Sequence, residues 1–172
     1  MRLSSLVAAA VLLLAASIAG AQSPNDAQIA HIVVTADQVD IDAGKLAESK
    51  GTSKDVKDFG KMMVTDHAGV NKQAQALATK LNVKPEDNPT SQSLKQGGDA
   101  TLKTLKSLNG KEFDKAYIDY EVAYHQSVLD AMDKTLIPSA QNPELKALLV
   151  KTRPAFVAHL EHAKSVQSKL GN

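Results

Sequence analysis

The chain has 172 residues, with 20 basic and 19 acidic side chains, no cysteine and no tryptophan. This near-balance removes the electrostatic footprint of a nucleic-acid binder, and the lack of cysteine removes disulfides, thiol nucleophiles and lipid-modified cysteines. The length fits one domain with its own core, and with three Phe and three Tyr that core is expected to be aliphatic.

Residues 1–21 combine Met1-Arg2, an apolar run from Leu6 to Ala16, and Ala19-Gly20-Ala21. That is the charge, apolar core and small-residue cleavage pattern of a signal peptide. The apolar run is shorter than the ~20 residues of a membrane-spanning helix, and no second run follows. Cleavage after Ala21 makes residues 22–172 one exported domain, periplasmic or secreted, with no transmembrane segment. It also removes Arg2, leaving equal numbers of acidic and basic residues.

Start and stop signals then divide the chain into four long helical segments. The first opens at Ser23-Pro24-Asn25-Asp26, with a hydroxyl cap and proline in the first turn, and closes at Gly51. The second opens at Thr52-Ser53-Lys54-Asp55 and runs to about Val83, where Pro85 and Pro89 forbid continuation. The third opens at Asn109-Gly110-Lys111-Glu112, with capping-box spacing, and stops at Pro138. The fourth opens at Asn142-Pro143-Glu144, ends near Gly171, and is bent by the internal Pro154. Each carries one apolar stripe at helical spacing, and no stretch alternates as a strand would.

Short links make the first and second segments, and the third and fourth, antiparallel hairpins. Between the hairpins, residues 84–109 contain Gly97-Gly98 and a short amphipathic stretch with Leu102, Leu105 and Leu108. At ~1.5 Å per residue the third helix spans ~40 Å, a distance this connection can cover. Two hairpins joined by a long crossover with a short helix make a ferritin-like four-helix bundle; an up-down bundle with a folded-back loop is the alternative. The crossover lysines Lys95, Lys103, Lys106 and Lys111 read as a solvated face.

One ionisable residue interrupts each apolar stripe near mid-helix: Asp40, His67, His125 and His159. Counting from the hairpin turns places Asp40 and His67 within ~6 Å of one height, and His125 and His159 within ~7 Å. The four are expected to converge, because an unpaired buried carboxylate costs several kcal/mol. Two readings follow. In one, Asp40 with Tyr117, Tyr120 or Tyr124 satisfies the histidines in a hydrogen-bond network. In the other, three imidazoles and one carboxylate hold a single zinc, copper or iron ion, with Asp66, Glu121 and Tyr117 in support. His31 and His162 fall off the stripes and are expected in solvent.

Di-iron ferroxidases need Glu-x-x-His on two helices. Here Val64, Val122 and Phe156 stand three residues before His67, His125 and His159, so that chemistry is not expected. No nucleophilic triad or glycine-rich phosphate loop is present, and Gly97-Gly98 sits in a linker.

The residues around Gly44-Lys45-Leu46-Ala47, Phe59 to Met63 with Asp66-His67, Phe113-Asp114 with Tyr117 and His125, and Pro154 with His159 carry a resemblance. The chain resembles a widespread bacterial family of secreted ferritin-like proteins, catalogued as a domain of unknown function and often labelled outer membrane proteins. The resemblance spans nearly all of residues 22–172 and implies a ferritin-like fold and an envelope location, but no reaction. Where this chain has Asp40 the family more often has glutamate. The expected function is a binding or structural role in the envelope, with stress one setting, the interior His/Asp cluster being either that hydrogen-bond network or a site for one metal ion. A metal-dependent oxidoreductase is the alternative, and homo-oligomerisation and protein partners are left open.

Overall fold

The computed structural model describes residues 23–171; the signal peptide expected over residues 1–21, with cleavage after Ala21, lies outside the described residues. Five long helices form: α1 (Asp26–Lys50), α2 (Lys54–Lys80), α3 (Pro89–Ser107), α4 (Gly110–Ala131) and, after a single turn α5 (Ile137–Ser139), α6 (Pro143–Leu170). No strand occurs among the described residues.

The helix starts differ from the sequence reading in instructive ways. Asn25, not Ser23, caps α1 and forms a reciprocal capping box with Gln28. Ser53 opens α2 without a side-chain cap bond. That end is served from α4, where the Asp114 carboxylate accepts from Thr52 N at 2.9 Å, Ser53 N at 2.8 Å and Thr52 Oγ1 at 2.6 Å. Asn109 makes no side-chain cap bond, so the expected box there does not form. Asn142 does cap α6, accepting from Glu144 N and Leu145 N with Pro143 in the first turn.

The crossover holds a 19-residue helix, not a short one. Asn88 and Ser91 form a capping box and Pro89 occupies the first turn, which starts α3 well before the leucines that suggested a helix. Gly98 is part of α3, and not a linker. A Cβ there would stand 2.8 Å from Val39 on α1, so glycine permits the close approach. Lys95, Lys103, Lys106 and Lys111 lie on exposed positions, as a solvated face requires.

Nor does the third segment stop at Pro138. It passes through a π-turn at Met132–Leu136, with Ile137 N bonded to Met132 O, and ends at Ser139. Proline has no N–H for the carbonyl four residues back, and the widened turn ahead of it accommodates that loss.

Helix α1 packs on α2, α2 on α6, α6 on α4 and α4 on α1, which closes a ring of four; α3 lies outside it, chiefly on α1. Directions follow from the polar ties at each end. Asp114 ties the start of α4 to the α1–α2 turn, and Asp26 at the start of α1 accepts from Gln141 N and Asn142 N before α6, both at 2.9 Å. Adjacent helices in the ring are thus antiparallel, while α2 and α4 run the same way.

The α1–α2 contact is unusually close at Gly44 and Gly60. A Cβ on Gly44 would lie 2.8 Å from Gly60 O, and one on Gly60 would lie 2.7 Å from Gly44 O. The two backbones touch one turn beyond Asp40 and two turns before His67. The core is less purely aliphatic than composition suggested, because Phe59, Phe113, Phe156, Tyr117, Tyr120 and Tyr124 are all buried. No helix among the described residues is long and apolar enough to cross a membrane.

Candidate metal centre

Six ionisable residues meet inside the ring of four. Asp37 and Asp40 lie one turn apart on α1, His67 on α2, Glu121 and His125 one turn apart on α4, and His159 on α6; none is more than 5% exposed. The three imidazole rings have centroids 5.7 Å (His67–His125), 5.3 Å (His67–His159) and 5.4 Å (His125–His159) apart. Phe156 closes one side, its ring centroid 5.1 Å from that of His67.

Each histidine has one nitrogen anchored and the other turned into the cluster. His67 Nδ1 lies 2.7 Å from Asp37 Oδ1, His125 Nδ1 lies 3.1 Å from the Glu121 backbone carbonyl, and His159 Nε2 lies 3.0 Å from Asp66 Oδ2. The opposite nitrogens, His67 Nε2, His125 Nε2 and His159 Nδ1, are buried without a hydrogen-bond partner. An anchor that takes the proton of one ring nitrogen leaves a lone pair on the other, which is how metal-binding histidines are held in proteins.

The carboxylate of Asp40 faces two of those nitrogens. Its Oδ2 is 2.8 Å from His67 Nε2 and 3.5 Å from His125 Nε2, yet neither contact is aligned as a hydrogen bond. Two donors ~2.0–2.1 Å from a tetrahedral ion are ~3.3 Å apart, and the observed spacings fall on either side of that value. Among the described residues, donor atoms of His67, His125 and His159 lie within 4.8 Å of one another. A second set, Asp40, Glu121 and His125, meets the same limit.

Burial sets the protonation of the cluster. It lowers the pKa of His125 against the opposing charge of Asp40, and that of His159 against its bond to Asp66. Both are therefore neutral and able to donate lone pairs. On His67 burial also disfavours charge, but Asp40 and Asp37 outweigh it and raise the pKa well above the usual value. Asp40 is desolvated too, yet His67 and His125 hold its carboxyl down at about 2. Burial, reinforced by the Asp40 charge, pushes Glu121 well up.

Over residues 12–166 the sequence matches the family described as Domain of unknown function (DUF4142). The chain belongs to that family. No curated protein and no solved structure matches it.

In this DUF4142 chain the four stripe residues Asp40, His67, His125 and His159 do meet, as their heights predicted. Of the expected supports, Asp66 contacts His159 on another helix and not its neighbour His67. Glu121 holds His125 through its backbone, with its own Oε2 3.3 Å from His125 Nδ1. The tyrosines do not satisfy the histidines. Tyr124 donates to Ala36 O at 2.9 Å, and the buried hydroxyls of Tyr117 and Tyr120 have no hydrogen-bond partner. Asp37 escaped the sequence reading, although its place one turn before Asp40 was the available signal. His162 is exposed, edge-on to Phe59, and His31 is partly exposed with Nδ1 3.8 Å from Asp87 Oδ1.

Proposed function

We propose that this DUF4142 protein is an exported metal-binding protein of the bacterial envelope, periplasmic or secreted. Its ferritin-like interior holds one transition-metal ion through His67, His125, His159 and Asp40. The observation that carries this reading is that all three histidines are anchored at one nitrogen and turn the other, buried, toward the other two, His125 Nε2 and His159 Nδ1 without a hydrogen-bond partner and His67 Nε2 against Asp40. A hydrogen-bond network would have paired the His125 and His159 nitrogens as well, since an unsatisfied buried polar atom costs about 1–3 kcal/mol.

Three imidazoles and a carboxylate suit zinc, copper or iron. Four protein donors complete a tetrahedron, and sites closed in this way are structural or storage sites more often than catalytic ones, which keep a position open. This favours a binding role over an oxidoreductase. The exported location rests on the leader-like residues 1–21, and the ferritin-like reading on the long crossover that leaves α2 and α4 running the same way.

Elemental analysis of protein purified from the envelope fraction tests the proposal. About one ion per chain is expected, lost in His67→Ala. Native protein free of metal, with thermal stability indifferent to chelator, would overturn it.

A further inference from the structure

We propose that Asp40, Glu121 and Tyr117 form a second, oxygen-lined cation position beside the imidazole-lined one, so that a fully loaded chain carries two divalent ions bridged by the Asp40 carboxylate. This rests on the single-ion reading above and extends it.

The histidine site leaves a coherent group of oxygens unused. Asp40 Oδ1 makes no aligned hydrogen bond, nor does either oxygen of Glu121, whose Oε2 lies 3.3 Å from His125 Nδ1, and both residues are fully buried. The Tyr117 hydroxyl, also fully buried, stands close to Glu121 with no aligned hydrogen bond. Donor atoms of Asp40, Glu121 and His125 already lie within 4.8 Å of one another. His125 itself cannot serve the second ion, because its Nδ1 is turned to the Glu121 carbonyl and its Nε2 belongs to the first position.

Charge points the same way. The cluster gathers three acids, Asp37, Asp40 and Glu121, and no lysine or arginine is buried among the described residues. A divalent ion beside Glu121 gives Asp40 Oδ1, the Glu121 oxygens and the Tyr117 hydroxyl a shared partner. Carboxylate and hydroxyl donors suit a harder ion than the imidazole site does, of the manganese(II) or iron(II) kind.

The test uses purified full-length protein, stripped by chelation, given one equivalent of zinc(II) and then excess manganese(II). Bound metal is counted after desalting, and manganese is followed by electron paramagnetic resonance. The expected result is one zinc and one manganese per chain, with Glu121→Gln keeping zinc and binding manganese at least tenfold more weakly. Tyr117→Phe, which keeps the shape of the core, should also weaken manganese about tenfold or more, and serves alone if circular dichroism shows Glu121→Gln misfolded. Zinc bound without manganese overturns this inference and leaves the single-ion reading standing. Neither ion bound overturns both. Manganese affinity unchanged in the folded variants overturns the ligand assignment.

Discussion

His67 stands between two aspartates of α1, with Nδ1 2.7 Å from Asp37 Oδ1 and Nε2 2.8 Å from Asp40 Oδ2. The two contacts have different work to do. The Asp37 bond fixes the ring, while Asp40 pairs with the nitrogen that would give up its proton to a metal. Replacing an orienting carboxylate typically costs 10–100-fold in metal affinity. Asp37→Asn should therefore weaken zinc by about that factor in a chelator competition, and Asp40→Ala should weaken it more. Equal affinity in Asp37→Asn and the native protein would show that Asp37 does not orient the ligand.

Stripped of metal, the cluster predicts an unusual pH dependence. His125 and His159, lowered in the folded state, make stability rise with pH through ~6.5 and contribute almost no slope above ~7.5, so they oppose His67 only slightly over the interval of interest. His67 has a raised folded pKa, so its contribution is complete below ~6.5 and is lost as pH rises through the folded value. Glu121, also raised, acts in the same direction from ~4.5 upward. The folded state then holds more protons than the unfolded one, and stability falls with rising pH. Asp40 adds no slope there, because its folded pKa of about 2 confines its effect to acid, where stability is lost as pH falls below ~4. Chelated protein should melt at a lower temperature at pH 8.5 than at pH 7. Added metal should reverse the slope, because its ligands must be deprotonated. A metal-free melting temperature that rises over this interval would contradict the assignment.

The reciprocal contact of Gly44 and Gly60 sets how closely α1 and α2 approach, and hence where Asp40 meets His67. Each missing Cβ would press on the opposite backbone oxygen, and backbone cannot swing aside as a side-chain end can. Gly60→Ala should cost about 1–3 kcal/mol by overpacking and weaken metal binding as well. Gly69, exposed on the same helix with nothing within 4 Å of where a methyl group would stand, is the control. Gly69→Ala should gain up to about 1 kcal/mol in urea unfolding. Equal effects at the two sites would mean that the backbone contact is not tight.

Much of this arrangement is legible in the residue pattern alone. Asp40, His67, His125 and His159 stand out because each breaks an aliphatic stripe, and residue counts from Gly51 and Pro138 are enough to bring them to one height. What escapes is decided between helices. Asp37 joins the site through a contact with α2, and Asp66 serves a histidine 93 positions away in sequence. The length of α3 is hidden because Gly97-Gly98 reads locally as a linker, whereas Gly98 is required by the passage of Val39. Helix caps fail where tertiary partners replace them.

Asp114 is the clearest of those replacements. Although it is buried on α4, its carboxylate takes three hydrogen bonds from Thr52 and Ser53 and supplies the cap that Ser53 itself does not provide. Hydrogen bonds to a charged group contribute about 1.5–3 kcal/mol each in net terms, and they are not additive within one cluster. Asp114→Ala leaves two backbone N–H groups at the start of α2 without acceptors and detaches the α1–α2 turn from α4. The expected loss is about 2–4 kcal/mol, read as a lower urea midpoint with little change in slope. Metal affinity should change far less than in Gly60→Ala, because Asp114 fastens the end of the ring and not its centre. A loss below about 0.5 kcal/mol, the scale of an ordinary surface substitution, would mean that solvent caps α2 as well as Asp114 does.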